Sequence, residues 1–249
     1  MSLPKLKTQS LVNSVFNSVS SKYDVMNDVM SFGIHRLWKK TFVEKAIQPQ
    51  KGMSILECAA GSGDISFRIL DQWRKMGATD CQLMITDINA SMLETARTRL
   101  ANTAILDNLP GIKTSFDILN AQEIPESLNE SFDCYVCAFG MRNMPNLDVA
   151  LRSAHRVLKK GGTFHCLEFS KVQNPLFRAF YDIYSTQVIP PTGHLITGSW
   201  ESYEYLVDSI RLFPEQAVLA HMLEKAGFFG VKYFNMTNGI VCVHSAVKM

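Results

Sequence analysis

Long apolar runs are missing from this chain: no stretch reaches the roughly 18 to 20 residues that a membrane-spanning helix needs. The start of the chain also lacks the apolar segment of a secretory signal. It is free of acidic residues from Met1 to Tyr23 and carries Lys5, Lys7 and Lys22 among several serines. The tail of an organellar transit peptide shares that bias, and so does a short polar lead-in. Charge is scarce too. Charged residues make up 19% and the formal net charge is +2, so no strong field points to nucleic acid as a partner. Contact of a local patch with an anionic membrane stays open. The six histidines include no HExxH pair, and Cys134–Cys137 is the only CxxC. Within the run Phe132–Phe139, a period of two points these cysteines to opposite faces of a strand. Together with Cys58, Cys81, Cys166 and Cys242, they read as reduced core thiols, and no structural metal is expected. There are no internal repeats and no low-complexity tract.

What is present is apolar. Hydrophobic residues form 47% of 249, enough for one sizeable domain. Helical spacing over residues 8–46 (Val12, Val15, Phe16, Val19, then Leu37, Trp38, Phe42, Val43) predicts an N-terminal helical cover, interrupted between Asp24 and Gly33. From 53 to 170, short apolar runs alternate with helical patterns. Strands are predicted at Met53–Cys58, Gln82–Thr86, Ile112–Ile118, Phe132–Phe139 and Thr163–Phe169. Helices are predicted after Asp64, after an Asn89 cap, and over Asp148–Leu158, with a turn at Lys160–Gly162. Such alternation implies βαβ units and a parallel sheet with helices on both faces. Residues 171–213 are too long for a plain connection and read as a helical insertion with an irregular centre, Ile189–His194. Residues 214–249 hold a final helix, with Met222, Leu223 and Phe228 as core, and a hairpin. Its strands, Val231–Phe234 and Ile240–His244, flank Thr237-Asn-Gly239, which predicts an antiparallel strand at the sheet edge. The fold class is α/β: Rossmann-like, with a mostly parallel seven-stranded sheet closed by an antiparallel hairpin, as in class I methyltransferases.

Ligands of open parallel sheets bind beyond the carboxyl ends of the strands. Three strand ends here carry suitable groups. Gly61-Ser62-Gly63 allows close backbone approach. Asp87 stands where a carboxylate accepts two ribose hydroxyls. Asn120 and Ala121 set a polar group and a small side chain beside an adenine ring. A dinucleotide needs G-x-G-x-x-G; the string here is A-x-G-x-G-D, and Asp64 would repel a pyrophosphate. Glu57 and Asp64 instead suit the sulfonium and ammonium of S-adenosylmethionine. A nicotinamide dehydrogenase is the less favoured alternative.

Two segments carry more information: Tyr23-Asp-Val-Met-Asn-Asp-Val-Met-Ser-Phe-Gly-Ile-His-Arg-Leu-Trp38 and Arg156-Val-Leu-Lys-Lys-Gly-Gly-Thr-Phe-His-Cys-Leu-Glu-Phe-Ser170. Both resemble signatures of the UbiE-type family of ubiquinone/menaquinone C-methyltransferases. So do Gly61–Asp64, Phe139–Asn143, Ser202–Leu206 and the final hairpin. The resemblance implies methylation of a polyprenyl-methoxy-benzoquinol or of demethylmenaquinol, with S-adenosylmethionine as donor. It implies work among other quinone-biosynthesis proteins, peripheral to the matrix side of the mitochondrial inner membrane or to the bacterial inner membrane; a homodimer stays open. Glu57 departs from the family's usual Asp, Lys160 from its usual proline, and Ala138 from a small hydroxyl residue at the cofactor. Ala59 and Ala60 stiffen the glycine loop.

A quinol carbon becomes a strong nucleophile once a ring hydroxyl loses its proton. Arg142 is the candidate cation for the phenolate, and Asn143 a candidate to orient a ring oxygen. Asp64 is the candidate acid–base or water-orienting group, a role that competes with binding the cofactor's ammonium. Tyr23, Asp24, Asn27, His35 and Trp38 are expected to cover the cofactor. Tyr203 and Tyr205 are candidates for the quinol pocket. Glu168 either faces the site or caps its strand. Leu176, Phe177, Phe180 and Tyr181 either present an apolar face to a membrane or pack on the sheet. A soluble-substrate methyltransferase and a cofactor-binding scaffold are the rival readings.

Overall fold

The computed structural model describes residues 23–103, 105, 109 and 111–249, with the backbone alone for 23–26. The expected helix around Val12–Val19 and the side chains of Tyr23 and Asp24 lie outside this description.

Seven strands form one sheet in the order β3-β2-β1-β4-β5-β7-β6. They are β1 Ser54–Cys58, β2 Gln82–Asp87, β3 Lys113–Ile118, β4 Phe132–Ala138, β5 Leu158–Phe169, β6 Phe228–Met236 and β7 Val241–Lys248. β1 and β4 are near-continuous apolar runs, as strands covered on both faces must be. They pair in parallel with Ile55 opposite Cys134 and Leu56 opposite Tyr135. Alternation then divides the core. One face holds Ile55, Leu83, Cys134 and Val136 against the helices Asp64–Lys75 (α3) and Ala90–Ala101 (α4). The other holds Leu56, Tyr135, Cys137 and Cys166 against Leu147–Val157 (α5) and Gln216–Lys225 (α9), with Leu223 and Phe228. Cys134 and Cys137 thus point to opposite faces, and all six cysteines are buried and free. Asn89 caps α4 by accepting from the backbone N–H groups of Ser91 and Met92.

Four expectations need correction. The interruption expected between Asp24 and Gly33 is helix from Tyr23 to Ser31, and only Phe32 and Gly33, both at positive φ, separate it from the next helix. Lys160–Gly162 is not a chain-reversing turn. β5 runs through it as a bulge, with Leu158 opposite Phe132 and Thr163 opposite Cys134. The Lys159–Asp133 ion pair at 2.8 Å spans the bulge, and a Cβ on Gly162 would sit 2.8 Å from the Lys159 carbonyl. The antiparallel strand is not at the edge: β7 inserts between β5 and β6, antiparallel to both. Ile189–Thr197 is helix (α7), not irregular chain. Prolines 190 and 191 fall in its first turn, where the missing N–H costs nothing, and Gly198 at φ 80° ends it.

The insertion is three helices: Pro175–Gln187 (α6), α7 and Trp200–Leu212 (α8). α7 and α8 meet where the Tyr203 ring closes on Gly193. A Cβ there would stand 2.1 Å from the ring. Gly193→Ala is therefore expected to cost about 1–3 kcal/mol through overpacking, read as a lower midpoint in chemical denaturation.

The N-terminal cover is Tyr23–Ser31 (α1), Ile34–Thr41 (α2) and a π-helical turn, Phe42–Ile47. Phe42, Val43 and Ile47 are fully buried in the first core, and each contributes roughly 1.5–3 kcal/mol. Trp38 donates its indole N–H to Thr237 Oγ1 at 2.8 Å, tying the cover to the hairpin turn. Leu37 faces outward. No helix among the described residues is long and apolar enough to cross a membrane.

Candidate active site

Strand order reverses between β1 and β4, and the cleft opens above their carboxyl ends. Each strand is followed directly by a non-glycine residue at positive φ, Ala59 at 56° and Phe139 at 56°. Such strain, of order 1–3 kcal/mol each, collects at binding sites. The two ends cross closely: a Cβ on Gly140 would lie 2.4 Å from the Ala59 Cβ.

Two cavities meet here and share Lys39 and Phe139 as walls. The smaller, about 110 Å³, is lined by Glu57, Gly61, Ser62, Asp64, Asp87, Asn120, Ala121, Ala138 and Asn143. Nearly every residue singled out for the cofactor therefore reaches one hollow. Gly63 does not line it. Its φ of 85° starts α3, and a Cβ there would meet Ala96 at 3.1 Å, so it serves the approach of α3 to α4.

Asp87 closes the glycine turn. One carboxylate oxygen accepts from the Gly61 N–H at 2.8 Å, the other from the Asn89 N–H at 2.8 Å. Burial raises its pKa, and those N–H groups oppose the rise. Each oxygen keeps a lone pair for a further donor. Asn120 accepts from the Gln122 N–H at 3.0 Å and holds its own turn.

Glu57 is buried and accepts from the Ser66 hydroxyl. Burial raises its pKa to about 8, with Asp64 and Asp87 adding to the rise. The free protein thus holds Glu57 protonated at neutral pH. A cationic ligand in the smaller cavity lowers that pKa by its charge and favours release of the proton. Calorimetry at pH 7 in buffers of different ionisation enthalpy should show proton release, and affinity should rise with pH up to about 8. The same shift makes the free fold lose stability as pH rises from 4.5 to about 8, because the folded chain binds the extra proton.

Asp64 lies 2.5 Å from Lys39 Nζ and 3.2 Å from Arg99 Nη2. Burial raises its pKa, but Lys39 and Arg99 outweigh that and the net shift is downward. Asp64 is a fixed anion, which disfavours the acid–base role expected of it. Lys39 was not singled out from sequence. The available signal was its position four residues after His35, on the same helix face; both are buried.

The larger cavity, about 280 Å³, is apolar. Phe169, Phe177, Tyr181, Tyr203 and Tyr205 line it, as do Asn27, His35 and Trp38. These last three therefore cover this cavity and not the smaller one. His35 Nε2 is hydrogen-bonded to Asp28 at 2.8 Å. Arg142 and Asn143, in a 3-10 turn after β4, face different ways: Arg142 lines the larger cavity, Asn143 the smaller. Tyr205 donates to Asn143 Oδ1 at 3.1 Å. Glu168 faces inward. Its Oε1 accepts from Arg142 Nη1 at 2.9 Å, its Oε2 from the Arg142 backbone N–H at 3.2 Å, and the pair is buried.

The smaller cavity presents three acidic side chains, of which Glu57 is neutral until a cation arrives, and one lysine among its described lining side chains. That set repels a pyrophosphate and suits a cationic nucleoside carrying an amino-acid end.

Sheet order, terminal hairpin and cleft together define a class I methyltransferase. Solved structures agree on the fold. A possible histamine N-methyltransferase from Thermotoga maritima superposes with a TM-score of 0.60 at 17% identity, over 95% of this chain and 99% of that one. A Haemonchus contortus phosphoethanolamine N-methyltransferase, solved with S-adenosylhomocysteine, gives 0.57 at 14% over 84% of this chain and 52% of its own. Residues 4–248 match the ubiE/COQ5 methyltransferase family, and the chain belongs to it. A mitochondrial 2-methoxy-6-polyprenyl-1,4-benzoquinol methylase of Danio rerio is 42% identical over 99% of this chain and 82% of its own length. A ubiquinone/menaquinone biosynthesis C-methyltransferase of Rickettsia felis is 47% identical over 98% and 94%.

Proposed function

We propose that this chain transfers a methyl group from S-adenosylmethionine to a ring carbon of a polyprenyl-methoxy-benzoquinol in ubiquinone synthesis. The observation that carries the reading is the pair of cavities: a small one rich in carboxylates and a larger apolar one, joined at Lys39 and Phe139. The names of the Danio and Rickettsia relatives support the substrate class.

Bound there, the cofactor supplies an electrophilic methyl group on a sulfonium. The chain's residues do the rest. Asp87 would accept from the ribose hydroxyls, Asn120 and Ala121 would flank the base, and Glu57 and Asp64 would face the cationic end. Phe139 and Phe169 hold the ring in the apolar cavity and exclude water, so two reactants meet in line. Arg142, fixed by Glu168, favours the phenolate form of the ring. Tyr205 and Asn143 bridge the two hollows.

The rim of the larger cavity supports access from a bilayer. Phe32 and Phe180 are exposed there, Leu176 and Ile183 are exposed on the same helix as Phe180, and Phe177 and Tyr181 line the cavity. Peripheral contact with the membrane that holds the lipid goes with this reading. So does a place among other quinone-biosynthesis proteins on the matrix side of the mitochondrial inner membrane.

Incubation with S-adenosylmethionine and a short-chain demethyl benzoquinol tests it. One methyl on a ring carbon, from the reduced quinol and not the oxidised quinone, is expected. Cofactor binding without transfer to any quinol would leave a scaffold; preference for a soluble acceptor would replace the substrate class.

A further inference from the structure

We propose that Lys39 binds the carboxylate at the amino-acid end of the cofactor and thereby closes the helical cover onto the core. The proposal rests on the S-adenosylmethionine reading of the smaller cavity.

An amino-acid end brings an ammonium and a carboxylate together, so its site must offer both signs of charge. Carboxylates are plentiful in the smaller cavity: Glu57, Asp64 and Asp87. Lys39 is the one cationic side chain among the described residues that line it. It lines both cavities, and its ammonium stands 2.5 Å from Asp64, which lines the smaller one. The residue is 6% exposed, so its charge is committed to this place. A buried ammonium needs an anion. Without ligand, Asp64 fills that need. With ligand, the cofactor's own ammonium takes a position on Asp64, and its carboxylate meets Lys39. Arg99, 3.2 Å from Asp64, keeps that acid compensated throughout.

Lys39 belongs to the cover, whereas Glu57, Asp64 and Asp87 belong to the sheet and its first helix. A cofactor carboxylate held by Lys39 is therefore a bridge between the two. The bridge matters because the cover is unevenly anchored. Trp38, Lys39, Phe42, Val43 and Ile47 are buried, but between 27 and 37 His35 alone is. A segment with few buried contacts opens at low cost. Met30, Phe32, Ile34 and His35, from that segment, form walls of the larger cavity. Cofactor binding would thus complete the quinol cavity, making the donor bind before the acceptor.

The probes are S-adenosylhomocysteine and S-adenosyl-3-thiopropylamine, which keeps the ammonium but lacks the carboxylate. The native chain should bind the first at least about tenfold more tightly, the scale of a charge-assisted bond. Only the first should slow amide exchange between residues 27 and 38. In Lys39→Met, S-adenosylhomocysteine should weaken about tenfold or more while the amine stays within about twofold, and the added protection should vanish. Equal losses for both ligands, or discrimination that survives the substitution, would overturn the proposal. If neither ligand protects residues 60–63 and 87–92 of the native chain, the cofactor assignment falls, and the proposal with it.

Discussion

Arg142→Lys is expected to leave cofactor affinity within about twofold while turnover drops by about 10²–10³, the usual scale for one preorganised oxyanion donor. The lysine keeps a positive charge beside Glu168 but loses the planar fork that reaches both Glu168 and the cavity. Arg142→Ala is a worse probe. It strands Glu168 as a buried charge, and removing one partner of a buried pair costs about 3–5 kcal/mol. The structure places that pair at 2.9 Å with both side chains almost wholly buried. Denaturation midpoints should therefore fall sharply for Arg142→Ala and recover in Arg142→Ala/Glu168→Gln, without recovery of turnover. Turnover that returns with stability would show that Arg142 only supports the fold.

Asp87→Asn should do the reverse, lowering affinity for S-adenosylhomocysteine about 100-fold with little change in stability. Two charge-assisted bonds to ribose hydroxyls contribute about 1.5–3 kcal/mol each, and about 2.7 kcal/mol is a hundredfold. Stability changes little for a specific reason. Burial already disfavours the Asp87 charge in the free protein, so the neutral amide removes a penalty as well as a partner for Gly61 and Asn89. Titration calorimetry and urea denaturation on the same preparation separate the two effects. A large loss of stability with unchanged affinity would mean that Asp87 only closes the glycine turn.

The sheet was legible in the sequence because apolar runs such as Ile55–Cys58 and Phe132–Cys137 have one reading once they alternate with helices. The residues that line the smaller cavity were legible for a related reason. Strand ends carry ligands in this architecture, and Glu57, Asp87 and Asn120 stand at or just after strand ends. What failed was tertiary in origin. The bulge at Gly161–Gly162 and the turn at Thr237–Gly239 have similar local composition, and strand pairing alone decides which reverses the chain. Pro190 and Pro191 look like helix breakers until Val188 and Ile189 place them in a first turn. Beyond its place four residues after His35, Lys39 carries no signal of a site in its local sequence. Its burial depends on Asp64, 25 residues away and on another element. Arg142 and Asn143 are neighbours in sequence, yet a 3-10 turn sends them into different cavities, which spacing alone does not disclose.

The most direct measurement is a crystal structure with S-adenosylhomocysteine. The adenosyl group should lie in the smaller hollow, its ribose hydroxyls on Asp87, its base beside Ala121, and its sulfur turned toward the opening at Phe139. Density for a nicotinamide, or an adenosyl group bound anywhere but beside Asp87, would contradict the account.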